Sequence, residues 1–497
     1  MNLDFSQPAP QAKTLDEAQQ IIDALWAVIA GYQANQKTLA TRLADLEEKL
    51  NTHSGNSSKP PSSDGLHKKK KKKKFHGAGK GQALKQGAQP GHEGKGRKLL
   101  PPNEVGSVVV CLPPATCGCG GQIKAAPEKV RRHQQCELPE IKPAVTEYRQ
   151  VHGVCGGCGA SHCGALPHGV PNTLLGVRAT AAIAVFTGDY RLSKRQVQQL
   201  FGDFFNLPIS LGAVSNAEET VSNALEQAVE EAKTYVRRQP VVHADETGHK
   251  RQGDKMWMWL AATLLVAVFV VRGTRCMGAA KGLLGEGFLG ILVSDRYASY
   301  NWIKTTRRQF CWAHLKRDFQ KVSERSGGAG RIGDGVLGHI RRMFRLWHRL
   351  KDGEITRQTF RAAMAPIRSG MEGLLEEGMA CGHQKTANTC KKILSHKEAL
   401  WTFVDIEGVE PTNNLAEQQL RPYVLWRKSS FGTQSERGNL FVERMMTVTA
   451  TCKLQGRNRL GYITGAVSAY LKNEAAPSLL PAKGEIDAVK LAAKMGG

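Results

Sequence analysis

The sequence predicts an α/β protein built from several domains. Three observations favour this fold class: a heptad pattern near the N terminus, a cysteine cluster before residue 170, and apolar strand-like segments ending in acidic residues after residue 239. The chain has 497 residues, enough for two to four domains. Its hydrophobic fraction of 41% is ordinary for a globular protein.

The charge balance is strongly basic. The chain carries 69 Lys and Arg against 44 Asp and Glu, a net charge of +25. We therefore expect a polyanionic partner, with nucleic acid first. An anionic membrane surface is the alternative, but no strongly amphipathic basic helix stands out. The first 20 residues are polar and predict no signal peptide, so we expect the twelve cysteines to lie in a reducing cytoplasm.

Residues 1–50 are predicted to contain a coiled coil. One seam position of the heptads holds Leu15, Ile22, Ile29, Gln36, Leu43 and Leu50. The other holds Ala18, Leu25, Tyr32, Leu39 and Leu46. About five such heptads favour self-association into a homo-oligomer. The alternative is an amphipathic helix packed on its own protein, and Gly31 weakens the helix locally.

Residues 51–104 have no apolar periodicity and are predicted to be a disordered basic linker. The linker contains a run of seven lysines: Lys68, Lys69, Lys70, Lys71, Lys72, Lys73 and Lys74. Such a run suits DNA phosphate contacts that are independent of base sequence. A solvated tail is the alternative.

Residues 105–170 are predicted to form a small zinc-binding domain. They hold two close, glycine-flanked cysteine pairs about 35 residues apart: Cys117 with Cys119, and Cys155 with Cys158. Four thiolates suit one tetrahedral structural Zn²⁺. Three further cysteines are possible substitutes: Cys111, Cys136 and Cys163. Unliganded reduced thiols are the alternative.

Residues 171–238 are predicted to be helical. Segments 193–205 and 210–228, separated by a short break, resemble a helix-turn-helix in outline. Two short helices joined by a turn are common in any helical domain, so this pattern alone has little specificity.

Residues 239–475 are predicted to form an RNase H-like domain. Three strands are expected at 240–248, 256–263 and 264–272, followed by a helix near 276–284 and a strand at 290–294. The apolar stretch at 256–271 has 16 residues, short of the roughly 20 needed to span a bilayer. In an RNase H-like order the first and fourth strands are neighbours. A helical insertion is expected at about 330–404, and a tail at 476–497.

Asp245 and Asp295 end two of these strands and are expected to face each other. Two such carboxylates disfavour each other's ionisation unless a cation lies between them. Mg²⁺, or Mn²⁺, takes oxygen ligands of this kind. Glu417 is a candidate third acid, one turn into a helix. Its alternative is a capping box, with Asn414 as the N-cap residue.

The chain resembles the insertion sequence 66 transposase family through nearly its whole length. The matching pieces besides the cysteine pairs are residues 56–64 (NSSKPPSSD), 243–248 (HADETG), 292–297 (LVSDRY), 311–315 (CWAHL), 410–417 (EPTNNLAE) and 431–437 (FGTQSER). The resemblance implies a bacterial, nucleoid-associated DDE-type transposase with Asp245, Asp295 and Glu417 as its triad. It also implies a zinc-binding domain, a leucine-zipper-like N terminus and small accessory proteins.

The implied reaction is cleavage and joining of double-stranded DNA, at element ends and target, by two-metal phosphoryl transfer. Three basic residues are candidates to hold phosphates: Arg421, Arg427 and Lys428. An RNase H-like nuclease and a non-catalytic zinc-containing DNA-binding regulator are the alternatives.

The sequence departs from the family pattern in three places. Gln418 stands where Arg often follows the triad Glu, and Arg296 stands where Gly commonly follows the second Asp. These two changes bear on how the site meets DNA. The first cysteine pair is one residue tighter than usual, which leaves one zinc ligand open. Cys311 and His314 are expected to support the site structurally.

Overall fold

A computed structural model describes residues 11–53, 55–57, 98–126, 130–482 and 484. The lysine run at 68–74 lies outside the described residues. The chain divides into two units. The larger comprises residues 1–68, 146–202 and 208–497, and the smaller comprises residues 69–145 and 203–207.

The described part of the smaller unit is largely irregular. A 3₁₀ turn covers Pro102–Glu104. Thr116 and Gln122 pair across an isolated bridge, which encloses a tight turn containing the first cysteine pair. Within that turn the Cys117 N–H donates to the Gly121 carbonyl at 2.8 Å.

The larger unit begins with helix α1, Leu15–Leu50. The Thr14 hydroxyl caps its start by accepting from the Glu17 N–H at 3.2 Å. Near its end, Glu48 forms ion pairs of 2.9 Å with three cations: Lys321, Arg325 and Lys385. These charges lower the pKa of Glu48 to about 2 despite its partial burial, which acts the other way. The end of α1 therefore binds helices of its own chain, while the coiled coil stays a prediction.

A short hairpin and four helices follow α1. The hairpin pairs β1, His152–Val154, with β2, Ser161–Cys163. The helices are α2, Val177–Ala184; α3, Lys194–Phe205; α4, Leu211–Ala224; and α5, Glu226–Arg237. Lys194 on α3 pairs with Glu218 on α4 at 2.8 Å. The predicted helical character of this segment is confirmed, whereas a DNA-binding role for α3 and α4 stays a prediction.

The main sheet has five strands in the order β5-β4-β3-β6-β7. They are β3, Val241–Arg251; β4, Asp254–Ala262; β5, Ala267–Arg272; β6, Ile291–Ser294; and β7, Arg308–Phe310. Helix α6, Met277–Leu284, connects β5 to β6. The first three strands are antiparallel, and β6 runs parallel to β3. The predicted adjacency of the first and fourth strands is confirmed, and the apolar stretch at 256–271 lies in β4 and β5.

A helical block follows β7 and has its own core. Its helices are α7, Trp312–Ser323; α8, Gly327–Lys351; α9, Arg357–Met379; α10, Gln384–Leu394; and α11, Thr402–Asp405. The apolar face predicted for α8 is buried at Val336, Ile340, Met343, Trp347 and Leu350. None of the helices in the described part of the chain combines the length and the hydrophobicity of a membrane-spanning segment.

Three helices complete the larger unit: α12, Asn414–Ser430; α13, Glu436–Leu454; and α14, Arg459–Leu471. Side chains of α13 accept hydrogen bonds from the outer edge of β5. The N–H groups of Ala267, Phe269 and Val271 donate to Thr451, Thr447 and Glu443, at 3.1, 3.0 and 2.7 Å. Four residues of an α-helix rise about 6 Å along its axis, which is close to the length of two residues of a β-strand. Every fourth residue of α13 can therefore lie beside every second residue of β5. Helix α13 thus covers a strand edge that would otherwise be unpaired.

Candidate active site

Strand register aligns Asp245 with Asp295. Asp245 does not end its strand as predicted, because β3 continues to Arg251, whereas Asp295 directly follows β6. On β3 and β6, His243 pairs with Val293, and continuing that parallel register by two residues sets Asp245 opposite Asp295. Burial, then the negative charges of its acidic neighbours, raises the pKa of Asp245 well above its ordinary value. Those neighbours are Glu246, Asp295 and Glu417. The other two members of the predicted triad, Asp295 and Glu417, therefore both raise the pKa of Asp245.

Glu417 lies in the first turn of α12, and it does not cap that helix. The N-cap residue is Asn413, not Asn414, and its side chain makes no capping hydrogen bond. The Glu417 carboxylate lies beside another helix instead, with Oε1 3.5 Å from Nδ1 of His314. The capping-box alternative for Asn414 and Glu417 is therefore wrong.

Asn413 joins the start of α12 to β3. Its Nδ2 donates to the Ala244 carbonyl at 2.8 Å, and its Oδ1 lies 3.2 Å from Nδ1 of His243. Both bonds are buried and both meet residues just before Asp245. Asn413 was missed from sequence, because spacing along one helix does not report a contact with a distant strand.

A fourth acid lies next to Asp245 on β3. The Glu246 side chain is fully buried and accepts from Arg275 Nε at 2.9 Å and from the Tyr300 hydroxyl at 2.6 Å. Burial and the charge of Asp295 raise the pKa of Glu246, while these two donors lower it. The Arg275 guanidinium also lies 3.6 Å from the centre of the Tyr297 ring. Glu246 was missed from sequence, although two consecutive acids inside an apolar strand are an unusual pattern.

Arg308, the first residue of β7, is fully buried and contacts the backbone of Asp295. Its Nη2 donates to the Asp295 carbonyl at 3.2 Å, and its Nη1 donates to Asn301 Oδ1 at 2.9 Å. Burial lowers the pKa of Arg308 to about 10, and the Asp295 charge acts in the opposite direction. The buried Arg308 cation therefore attracts the negative charge of Asp295. Arg308 was missed from sequence, because the surrounding residues, Thr-Arg-Arg-Gln, are polar and give no sign that this side chain is buried.

Cys311 and His314 lie close to Glu417, at the junction of β7 and α7. The Cys311 N–H donates to the Ser294 carbonyl at 2.9 Å, which continues the β6–β7 pairing and sets Cys311 beside Asp295. Cys311 Sγ accepts the Asn413 N–H at 3.1 Å. One ligand atom each from Cys311, His314 and Glu417 lie within 4.8 Å of one another.

The predicted phosphate-binding residues differ in their surroundings. Arg421 is exposed, one helical turn beyond Glu417. Arg427 is half-buried and donates to the Gly248 carbonyl and to the Thr247 hydroxyl, the latter at 3.1 Å. Lys428 is exposed. Arg427 is therefore held on β3, and the DNA contacts of all three stay a prediction.

The four predicted zinc ligands lie in two tight turns, one in each unit. Cys117 and Cys119 are in the turn of the smaller unit, while Cys155 and Cys158 are in the turn between β1 and β2. In each pair, hydrogen bonds from the second cysteine lower the pKa of the first thiol, beginning with its backbone N–H. A lowered pKa favours the thiolate, which is the form that binds metal. Zinc binding itself stays a prediction.

Two protein families match parts of this chain, and one relative is similar to it. Residues 7–98 match a family of unknown function, DUF6444. A similar protein is the uncharacterized protein y4qI of Sinorhizobium fredii (strain NBRC 101917 / NGR234), 29% identical over 210 residues. That match covers 39% of this chain and 37% of the relative's length. Residues 172–440, more than half of the chain and including all three predicted acids, match the transposase IS66 family. The chain therefore belongs to the transposase IS66 family.

Proposed function

We propose that this protein is a DDE-type transposase that cuts DNA at the ends of an insertion sequence and joins those ends to target DNA. Its catalytic domain is proposed to be RNase H-like, interrupted by the α7–α11 block. We base this chiefly on the register that aligns Asp245 with Asp295 on neighbouring strands, with Glu417 brought to them by Asn413. Membership of the transposase family supports the same reading.

The three acids fit hard divalent cations such as Mg²⁺ or Mn²⁺. They offer carboxylate oxygens, and their mutual repulsion is what a cation would relieve. In addition, Oε1 of Glu417 is buried and has no hydrogen-bond partner among the described residues. When bound, a pair of such ions supplies the positive charge that stabilises the entering and leaving oxygens of the phosphate.

The chain's own residues position that chemistry. Asp245 lies within β3, Asp295 directly follows β6, and Arg308 donates a hydrogen bond to the Asp295 carbonyl. Exposed Arg421, on the same helix as Glu417, is suited to hold a DNA phosphate. In the proposed sequence, water cleaves a phosphodiester at the element end and leaves a 3′-hydroxyl. That hydroxyl then attacks a target phosphodiester: a new phosphodiester bond forms, and the bond to the 3′-oxygen of the target strand breaks, with no covalent enzyme intermediate.

The remaining parts of the chain are proposed to serve assembly and DNA binding. The lysine run, Lys68 to Lys74, would bind DNA phosphates without base preference. The cysteine pairs would hold one structural Zn²⁺. Small accessory proteins, implied by the family resemblance, are proposed as further partners.

We also propose that α1 pairs with α1 of a second copy. Seam residues such as Leu39, Leu43 and Leu46 are more than half exposed, so their apolar area is available to a partner helix. Leu39→Glu should convert an oligomer into a monomer in sedimentation velocity measurements. Gln20→Glu, on the opposite side of the heptad, should leave the oligomer intact. A wild-type chain that is monomeric at micromolar concentration would refute this pairing.

Strand-transfer assays with the full chain test the catalytic proposal. DNA carrying the element ends, a target plasmid and Mg²⁺ should give joined products. Asp295→Asn should remove cleavage and joining while DNA binding, followed by fluorescence anisotropy, is retained. Asp334→Asn, an exposed acid on α8, is the matched control and should keep both activities.

The other possible outcomes of these assays lead to different conclusions. Cleavage without joining would favour an RNase H-like nuclease. DNA binding without cleavage would favour a regulator. Normal cleavage by Asp295→Asn would refute the assignment of the site.

A further inference from the structure

Cys311, His314 and Glu417 bring a thiol, an imidazole and a carboxylate into one cluster, and the proposed DNA chemistry uses only the last of them. One ligand atom from each lies within 4.8 Å of the other two. The imidazole Nδ1 and the carboxylate Oε1 are 3.5 Å apart. Zinc bonds of about 2.0–2.2 Å to nitrogen and oxygen, at a tetrahedral angle, separate the two ligand atoms by ~3.4 Å. The spacing therefore suits two ligands of one ion.

The backbone holds the three donors together. Cys311 precedes α7 and His314 lies in its first turn, so the Cys-x-x-His spacing puts both at one end of the helix. Glu417 lies in the first turn of α12. Two hydrogen bonds join the starts of these helices: the Trp312 N–H donates to the Pro411 carbonyl at 2.9 Å, and the Asn413 N–H donates to Cys311 Sγ at 3.1 Å. The donors therefore lie at the starts of two helices that these hydrogen bonds join.

Two of the donor atoms lack a protein partner. Nδ1 of His314 and Oε1 of Glu417 are both buried, and neither makes a hydrogen bond with any described residue. Their separation is long for a hydrogen bond between them. Buried polar atoms normally have partners, so an unsatisfied pair facing each other needs an explanation. A cation between them would satisfy both.

We propose that Cys311, His314 and Glu417 bind a borderline divalent transition-metal ion, Zn²⁺ in the first place. Sulfur and imidazole donors favour Zn²⁺ and Co²⁺ over Mg²⁺, which prefers oxygen ligands. Binding releases the Cys311 thiol proton to solvent and leaves a thiolate–metal bond. This site is separate from the four-cysteine site expected at residues 117–158.

The site has a consequence for DNA cleavage, and this part rests on the proposed function. Glu417 belongs both to this cluster and to the acids proposed to bind Mg²⁺. Zn²⁺ held by Cys311 and His314 would engage Glu417 and withdraw it from the Mg²⁺ site. Zn²⁺ is therefore expected to inhibit cleavage that Mg²⁺ supports.

Cobalt absorption on the full chain tests the ion site directly. Thiolate bonds to Co²⁺ produce a near-ultraviolet charge-transfer band, so the band reports Cys311 while the variants leave every cysteine in place. His314→Ala and Glu417→Gln should each bind one Co²⁺ fewer than wild type and lose part of that band. The matched controls His348→Ala and Glu377→Gln, both exposed, should behave as wild type.

Unchanged Co²⁺ stoichiometry and spectrum in both His314→Ala and Glu417→Gln would overturn the site. Thermal melts establish that each variant is folded before titration. If His314→Ala does not fold, His314→Gln keeps most of the side-chain volume without an imidazole and gives the same readout. Asp245→Asn should keep this Co²⁺ ion while losing Mg²⁺-dependent cleavage. Binding of Co²⁺ by a wild-type chain that cleaves no DNA would thus refute the transposase proposal and leave this site standing.

Zinc titration of the cleavage reaction tests the sharing of Glu417. In Mg²⁺, wild-type cleavage should fall as Zn²⁺ is added. The cleavage that Cys311→Ala retains should require at least about tenfold more Zn²⁺ for half inhibition, because one of three ligands is lost. Equal sensitivity of the two proteins would overturn the shared ligand.

Discussion

Nδ1 of His243 and Oδ1 of Asn413 lie 3.2 Å apart in the interior of the larger unit. Because Asn413 Nδ2 already donates to the Ala244 carbonyl, Oδ1 faces the ring and must accept. The neutral His243 ring therefore carries its proton on Nδ1. This bond links β3, two residues before Asp245, to the helix start that carries Glu417. Acids 172 positions apart in the sequence are thus related by a side-chain contact.

We expect Asn413→Ala to weaken both folding and catalysis. The change leaves the His243 N–H and the Ala244 carbonyl buried without a partner, which costs about 1–3 kcal/mol of unfolding free energy. It also frees the start of α12, so DNA cleavage should fall more than Mg²⁺-independent DNA binding. Urea unfolding and the cleavage assay measure the two effects. Asn414→Ala is the matched control, because Asn414 is exposed. Equal behaviour of the two variants would contradict the role given to Asn413.

His243 should make the stability of the protein depend on acid pH. Burial lowers its pKa to about 4, while the Asn413 bond acts in the opposite direction. The unfolded chain takes up this proton near pH 6.5 and the folded chain only near pH 4. The contribution is therefore complete above pH 6.5 and is lost as pH falls towards 4. That loss amounts to about 3 kcal/mol.

A comparison with His243→Gln isolates this contribution. The glutamine amide keeps a donor for Asn413 and has no proton to take up in this range. Urea unfolding between pH 4 and 7 should therefore show a shallower pH dependence for the variant. His348→Gln, at an exposed position, should retain the wild-type slope. Parallel curves for wild type and His243→Gln would contradict the lowered pKa.

Strand register explains which parts of the site were predictable. Asp245 and Asp295 follow apolar runs, and the order of strands and helix along the chain is enough to make β3 and β6 neighbours. Glu417 was not separable from a capping residue, because spacing inside one helix cannot report what lies across from it. The structure resolves that ambiguity through His314 and Asn413.

The residues that support the acids, Glu246 and Arg308, could not be predicted from the sequence for a related reason. Glu246 finds Arg275 and Tyr300 from separate elements, and Arg308 meets Asp295 from the next strand. No local period encodes such contacts, because each depends on the packing of segments distant in sequence. The consecutive Asp245 and Glu246 in an apolar run are visible in the sequence, but they do not identify the partners of either side chain.

Asp245→Asn should stabilise the protein when divalent ions are removed. Burial and neighbouring acids raise the pKa of Asp245, so the folded state favours the protonated carboxyl. This contribution is full below the unfolded pKa of about 3.9 and is lost as pH rises through the folded pKa. At pH 8 without Mg²⁺ the carboxyl is ionised in the unfolded chain, while burial and neighbouring acids oppose its ionisation in the folded chain. The neutral amide has no such penalty and should be more stable by about 1–3 kcal/mol.

Addition of Mg²⁺ should reverse that ranking. The ion stabilises wild type by mass action, whereas the amide variant has lost a charged ligand and should gain less. Thermal melts at pH 8 with EDTA or with Mg²⁺ give both comparisons, and melts at pH 4.5 should narrow the difference. Asp334→Asn serves as the control at an exposed position. Equal stabilisation of wild type and Asp245→Asn by Mg²⁺ would argue against a metal at this acid.

Thr447→Val tests the cover that α13 provides for β5. The two side chains have nearly the same shape, so packing is preserved while the acceptor for the Phe269 N–H is lost. That buried donor then has no partner, and unfolding free energy should fall by about 1–3 kcal/mol. Thr464→Val on α14 is a suitable control, because its hydroxyl only donates to the Leu460 carbonyl of its own helix, at 2.7 Å. Amide exchange at Phe269 should also accelerate in Thr447→Val and not in Thr464→Val.

The position of the faster exchange tests how α13 holds β5. Since Ala267 and Val271 keep their acceptors on either side, the acceleration should be confined to the middle of β5. If exchange instead accelerates along the whole strand, α13 holds β5 by packing and not by these three hydrogen bonds.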